Sequence, residues 1–255
     1  MRSIWKGSIS FGLVNIPVRL YSASQAKELS FVLLHKKDFS EIRYARVCKA
    51  EEKEVPWKDI VKGYEYEKGE FVVLDDKDFD KIGVKRTKTI EIVNFTDEDE
   101  IDSVYYVKPF FLEPEKTGEK AYSLLRDALK KSKKVGVAKY VLRNHEHLVV
   151  IKCVDDMLIL NELRYQAELV VPKELTIPSS KPNPKELKMA MQLIEQLTVP
   201  FNPKKYKDTY TEEIKALIKQ KAKGKMVHPK AEKEARSPKI HDIMTLLQAS
   251  LKKSA

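Results

Sequence analysis

The feature that most restricts this fold is a crowd of short strand-like runs in the middle of the chain. "TKTIEIVNFT" (87–96) and "SVYYVKPFFLEP" (103–114) are dense in β-branched and aromatic residues, which suit a pleated, half-buried surface. "VGVAKYVLR" (135–143), "HLVVIKCV" (147–154) and "MLILNELRY" (157–165) follow in quick succession, parted only by the turn-like "NHE" and "DD". Runs this short and this close pair antiparallel through tight connections, so the sequence predicts an antiparallel barrel or sandwich.

Earlier runs extend the count. "IWKGSISFGLVNIPVRLYS" (4–22) alternates in two phases, Ile9, Phe11 and Leu13, then Val14, Ile16, Val18 and Leu20. A phase slip near Gly12 to Val14 predicts one long strand bent at a bulge, with Pro17 at an edge or bulge. "SFVLLH" (30–35) and "GEFVVLD" (69–75) read as two more strands. The 35–69 segment between them is too long for a hairpin loop and still alternates, which predicts an extended arm.

Helices are fewer. Residues 118–132 place Ala121, Leu124, Leu125, Ala128 and Leu129 at helical spacing. Residues 183–197 begin with Asn183 and Pro184, a cap and a first-turn residue, and carry Leu187, Ala190, Met191, Ile194 and Leu197 on one face. A third helix covers 208–225. Beyond a polar stretch, Ser237-Pro238 announces a last short helix with an apolar stripe of Ile240, Ile243, Met244, Leu247 and Leu251. Such a helix either folds back or docks on a partner, and docking is the expectation.

Charge narrows the function classes. The net charge is +10 over 255 residues, which suits a polyanionic partner if the cations are gathered. They are gathered in three places. The arm holds Lys36, Lys37, Arg43, Arg46 and Lys49 against two acids in 35–49. Residues 127–143 hold Lys130, Lys131, Lys133, Lys134, Lys139 and Arg143 against Asp127. From Lys219 to the end there are ten basic residues and three acids. Lysines on phosphates give affinity without sequence information, and no helix-turn-helix or zinc-finger pattern is present to read bases. The residues therefore predict sequence-independent contact with a duplex backbone, through Lys36, Lys37, Arg43, Arg46, Lys49, Lys133, Lys134 and Arg143.

Catalytic patterns do not assemble. With eight glycines in all, the chain has neither a phosphate-binding glycine loop nor a dinucleotide fingerprint. His145 and His147 share a strand face, but no ligand set completes a metal site. The acidic runs 75–80 and 97–102 read as solvated faces. The chain is expected to be no enzyme and to use no cofactor or metal. Two other readings stand beside DNA binding: a β-barrel that binds an acidic protein partner, and a lysine-based lyase at damaged DNA ends. Two distant cysteines, Cys48 and Cys153, suit a reducing cytosol; no signal peptide or membrane span is read.

The stretches "IWKGSISFGLVNIPVRLYSA", "IRYARVC", "EVPWKDIVKGYEYEKGEFVVL", "YYVKPFFLEPEKTGEKAYSLLRDAL", "KVGVAKYVLRNHEHL" and "IMTLLQASL" closely resemble the bacterial Ku family, in order and over essentially the whole chain. The resemblance implies an α+β, mainly β fold. A β-barrel core would span 1–180 with a bridge arm at about 35–69. A helical dimerisation region would follow at 181–223, then a basic linker and tail helix at 224–255. It implies a homodimeric ring that threads double-stranded DNA ends in non-homologous end joining and recruits ligase D. The tail stripe would be the ligase-docking segment, and the protein would work in the cytoplasm at the nucleoid, away from membranes. The family pattern places a second cysteine and a glycine soon after Cys48; this chain reads "CKAEEKEV" there and offers no metal or redox role at that turn.

Overall fold

The structure, a computed structural model, describes residues 1–25, 27, 29–75, 77–78, 88–142, 145–172, 175–179, 181–224 and 243–253. Two compact units divide the chain, Met1–Val171 and Pro172–Ala255.

The first unit is a closed barrel of seven strands in the order β1-β2-β6-β9-β8-β7-β5. These are β1 (Trp5–Phe11), β2 (Val14–Ser22), β5 (Thr89–Asp97), β6 (Tyr106–Pro114), β7 (Lys134–Leu142), β8 (His145–Val154) and β9 (Met157–Leu163). An odd number of strands cannot alternate direction all the way round, so one seam must be parallel. That seam is β1 with β5, where Ser8, Ile9 and Ser10 face Thr89, Ile90 and Glu91. Every other neighbouring pair is antiparallel.

Period-two alternation fills the interior. Ile9, Ile16, Val18, Leu20, Ile90, Leu112, Val149, Ile151, Leu158 and Leu160 are essentially inaccessible to solvent. The helix α1 (Glu119–Ser132) joins this core through Tyr122, Leu125 and Leu129. Each such side chain contributes about 1.5–3 kcal/mol over leaving it exposed. Leu124, expected on that face, points to solvent. A smaller cluster on Val135, Val150 and Leu163 is covered by Ile101, Tyr105 and Tyr106.

Two expected strands are corrected. The opening stretch is a hairpin, not one strand with a bulge: Phe11 pairs with Val14 across the two-residue turn Gly12-Leu13. Gly12 has φ +58°, the left-handed value that the first position of a type II′ turn demands. Pro17 sits just before the β2–β6 ladder begins at Val18, where its missing N–H costs nothing. "SFVLLH" is no strand; it is exposed arm, carrying only the isolated bridge of Leu34 with Glu41.

The arm is the insertion between β2 and β5, and its own sheet is β3 (Lys62–Glu67) with β4 (Glu70–Leu74), apart from the barrel. Barrel polarity explains how so long an insertion is accommodated. β2 runs against β1 and β5 runs with it, so Ser22 and Thr89 lie at the same barrel end.

The second unit contains α2 (Pro184–Leu197), α3 (Thr209–Ala222) and α4 (Ile243–Lys253). The expected cap of α2 is present, with Asn183 Oδ1 accepting from Lys185 N–H at 3.0 Å, and Asp208 caps α3 through Thr211 N–H at 2.9 Å. The apolar face expected on α2 is not the shielded one. Leu187, Met191, Ile194 and Leu197 are exposed, while Glu186, Met189, Ala190 and Leu193 are half-buried. α2 also packs on α4.

Candidate nucleic-acid interface

The arm is built to stand away from the barrel. Its turns close on themselves: Phe39 N–H donates to His35 O, Glu52 N–H to Cys48 O, and Val55 N–H to Arg46 O. Backbone N–H groups of Glu51 and then Ala50 hold the Cys48 thiol below its ordinary range. The bridge of Val47 with Glu54 folds the chain back at this turn.

Lys36, Lys37, Arg43, Arg46 and Lys49 are all exposed on this arm. The first three and Lys49 have no carboxylate within ion-pair distance among the described residues. Arg46 lies over the Trp57 ring, 4.5 Å from its centroid. A stacked guanidinium keeps its N–H fork free for phosphate. The sequence alone does not single out Trp57: eleven positions separate the pair, and the fold-back at 47–54 brings them together.

Cations of the barrel are spent differently. Lys6 and Arg19 both reach Glu115, at 2.8 and 3.1 Å. Lys130 pairs with Asp156 at 2.9 Å, Lys139 with Glu146 at 3.0 Å, and Lys152 with Glu98. Lys134 is held by Asp97 at 2.6 Å. The acidic run 97–102 thus neutralises neighbouring lysines. Lys133, in the left-handed conformation with φ +55° after α1, is exposed and unpaired among the described residues.

Strand polarity separates the expected set. The roots of the arm lie at the end of the barrel where β7 finishes at Leu142 and β8 starts at His145. Lys134 opens β7 and pairs with Asp97 at the end of β5, at the opposite barrel end from the arm roots. Nine residues of strand, at about 3.3 Å each before tilt, lie between the two ends. Arg143 follows Leu142 and lies outside the described residues, as does Ile240 of the tail stripe. Of that stripe, Met244, Leu247 and Leu251 are half-buried and Ile243 is exposed.

The histidines do not converge. His147 Nδ1 is 2.6 Å from Glu162 Oε1 and its ring packs on Tyr140, while His145 is exposed. Among the described residues no group of three His, Cys, Asp or Glu could hold a metal ion, and no helix is long and apolar enough to cross a membrane.

A closed β-barrel with many of its cations paired, carrying an exposed insertion with unpaired cations, defines a class: a barrel scaffold with an exposed, cation-bearing arm. The Ku family model, described as the Ku70/Ku80 beta-barrel domain, matches residues 10–189. Relatives that bear the name Non-homologous end joining protein Ku include the following three. That of Opitutus terrae is 46% identical over 254 residues, covering 98% of this chain and 91% of the relative. The Archaeoglobus fulgidus protein is 42% identical, covering 89% and 90%. The Bacillus subtilis protein is 37% identical, covering 98% and 82%. The chain belongs to the Ku family.

Proposed function

We propose that this chain is a non-enzymatic protein of non-homologous end joining. It binds ends of double-stranded DNA as a homodimer, without regard to sequence, and its C-terminal helix recruits and stimulates ligase D. The observation that carries the DNA reading is the contrast in charge use. Arm cations Lys36, Lys37, Arg43 and Lys49 are unneutralised among the described residues, while Lys6, Arg19, Lys134, Lys139 and Lys152 of the barrel and Lys130 of α1 are paired. Free cations release counterions from DNA, at about 0.9 units of salt slope per phosphate contacted. The names of the relatives supply the process.

Exposed apolar surface supports the homodimer. Phe31, Phe39, Trp57, Tyr64 and Phe71 are all more than 60% exposed on the arm. A two-stranded sheet such as β3–β4 is marginal without a packing partner, and a second copy supplies one. Arg143 joins the arm cations in contacting DNA. Lys133 and Lys134 contribute less, being at the far end.

Competition of labelled linear duplex with unlabelled linear or sealed circular DNA of one sequence tests the reading. Linear DNA should bind, with the circle much weaker. Combined K36E, K37E, R43E and R46E should weaken binding at least tenfold for every sequence and flatten the salt slope; K133E with K134E should do less. Equal binding of the sealed circle, or an arm variant that binds like the parent, overturns it. Deleting 238–255 should spare DNA binding and abolish ligase stimulation.

A further inference from the structure

The tail helix α4 is eleven residues long, below the length of about 12–15 at which an isolated helix holds itself together in water. Its helicity therefore depends on what it touches, and it touches α2. The half-buried positions of α4 are Met244, Leu247, Ser250 and Leu251, which fall on one stripe. On α2 the half-buried positions are Glu186, Met189, Ala190 and Leu193, also one stripe at helical spacing. Leu187, Met191 and Ile194 on the adjoining face stay open, so the cover is selective.

We propose that α2 is the intramolecular seat of the C-terminal helix. The stripe Met244, Leu247 and Leu251 is bound in cis by Met189 and Leu193, and an external partner must displace α2 to reach it. The masking half of this inference rests on the reading that α4 is the ligase-docking segment. The seat itself does not. Two features make the contact exchangeable. The interface residues of both helices are only half-buried. Ile243 and Leu246 remain exposed at 50% and 39%, so a partner has an apolar foothold before displacement begins. The covalent tether nevertheless keeps the local concentration of α4 at its seat on the order of millimolar.

Full-length proteins test this with a labelled peptide of residues 238–255. Wild type should bind it at least tenfold more weakly than L247D, whose own helix no longer fills the seat. Adding M189E and L193E to L247D should abolish peptide binding. Amide exchange should show 243–253 protected in wild type and unprotected in M189E/L193E. Equal peptide binding by wild type and L247D overturns the seat, and so does a tail whose protection survives M189E/L193E. Where M189E/L193E releases the tail, ligase should bind it several-fold more tightly than wild type. Unchanged ligase affinity on a released tail overturns the masking. Ligase that binds neither protein, while the peptide results hold, overturns the recruitment reading and leaves the seat standing.

Discussion

Arg46 stacks on Trp57 at 4.5 Å, and this is the cation-π contact that orders a DNA-facing candidate on an arm otherwise held by its own backbone turns. The two residues separate into different measurable roles. An exposed cation-π contact is worth about 0.5–1 kcal/mol, so W57A should weaken duplex binding by about two- to fivefold. The charge survives in W57A, and its salt slope should match wild type. R46Q removes one of the proposed phosphate contacts, and its slope should fall by about 0.9. Fluorescence anisotropy over a salt series reads both. A W57A slope as flat as that of R46Q would show that Trp57 does more than orient the guanidinium.

The parallel seam that closes the barrel leaves no room for a side chain at residue 7. A Cβ on Gly7 would stand 2.2 Å from Lys88 O and 2.2 Å from the Trp5 ring. Lys88 O is the acceptor of Ser8 N–H at 2.8 Å, the bond that begins the seam. G7A must therefore part β1 from β5 or expel Trp5, and such overpacking costs about 1–3 kcal/mol. At Gly12 nothing lies within 4 Å of a Cβ, so G12A meets only the φ strain, about 1 kcal/mol. Urea denaturation should rank G7A below G12A, and the reverse order would mean that closure does not depend on the seam.

Tyr122 locks α1 onto the barrel rim. Its hydroxyl donates to Leu112 O and accepts from Leu158 N–H, both at 2.8 Å. Those two residues are the last pair of the β6–β9 ladder. Burial pushes the phenol above its ordinary pKa, so it stays protonated and can donate. Y122F keeps the ring and leaves a buried carbonyl and a buried N–H unpaired, at a cost of about 1–3 kcal/mol. A denaturation midpoint equal to wild type would show that water replaces the hydroxyl.

How much of this was legible in the sequence depends on the range of the forces involved. β5 to β9 announced themselves because the alternation within each strand is local, wherever its partner lies in the chain. The Gly12-Leu13 hairpin hid because its turn lacks the usual Asn-Gly or Asp-Gly signal, and two short strands in opposite phase imitate one bent strand. "SFVLLH" misled because an apolar run reads as core only if the same chain supplies its cover, and Phe31 to Leu34 have none in this unit. On α2 periodicity fixed the helix but not which of its faces would be shielded. The split of Lys134 from the arm was beyond composition altogether: it follows from the direction in which each strand runs, which only pairing decides.

Charges at the hairpin give the acid response a sign. Lys6 and Arg19 are cross-strand partners, a like-charge pair that destabilises a sheet unless bridged, and Glu115 bridges them. The Lys6 ammonium first, then Arg19, hold the Glu115 carboxyl below its ordinary range. A carboxylate depressed in the folded state contributes stability that is fully present above its unfolded pKa, about 4.3, and fades as pH falls through the lower folded value. E115Q should therefore lower the melting temperature at pH 7 by about 1–2 °C, because Lys6 and Arg19 are solvent-exposed, Glu115 is only half-buried, and such pairs are screened. The gap between variant and wild type should close as the pH drops below 4.3, and 1 M salt should shrink it at neutral pH. A gap that is as large in acid as at neutrality would mean that the loss comes from side-chain packing and not from the bridged charges.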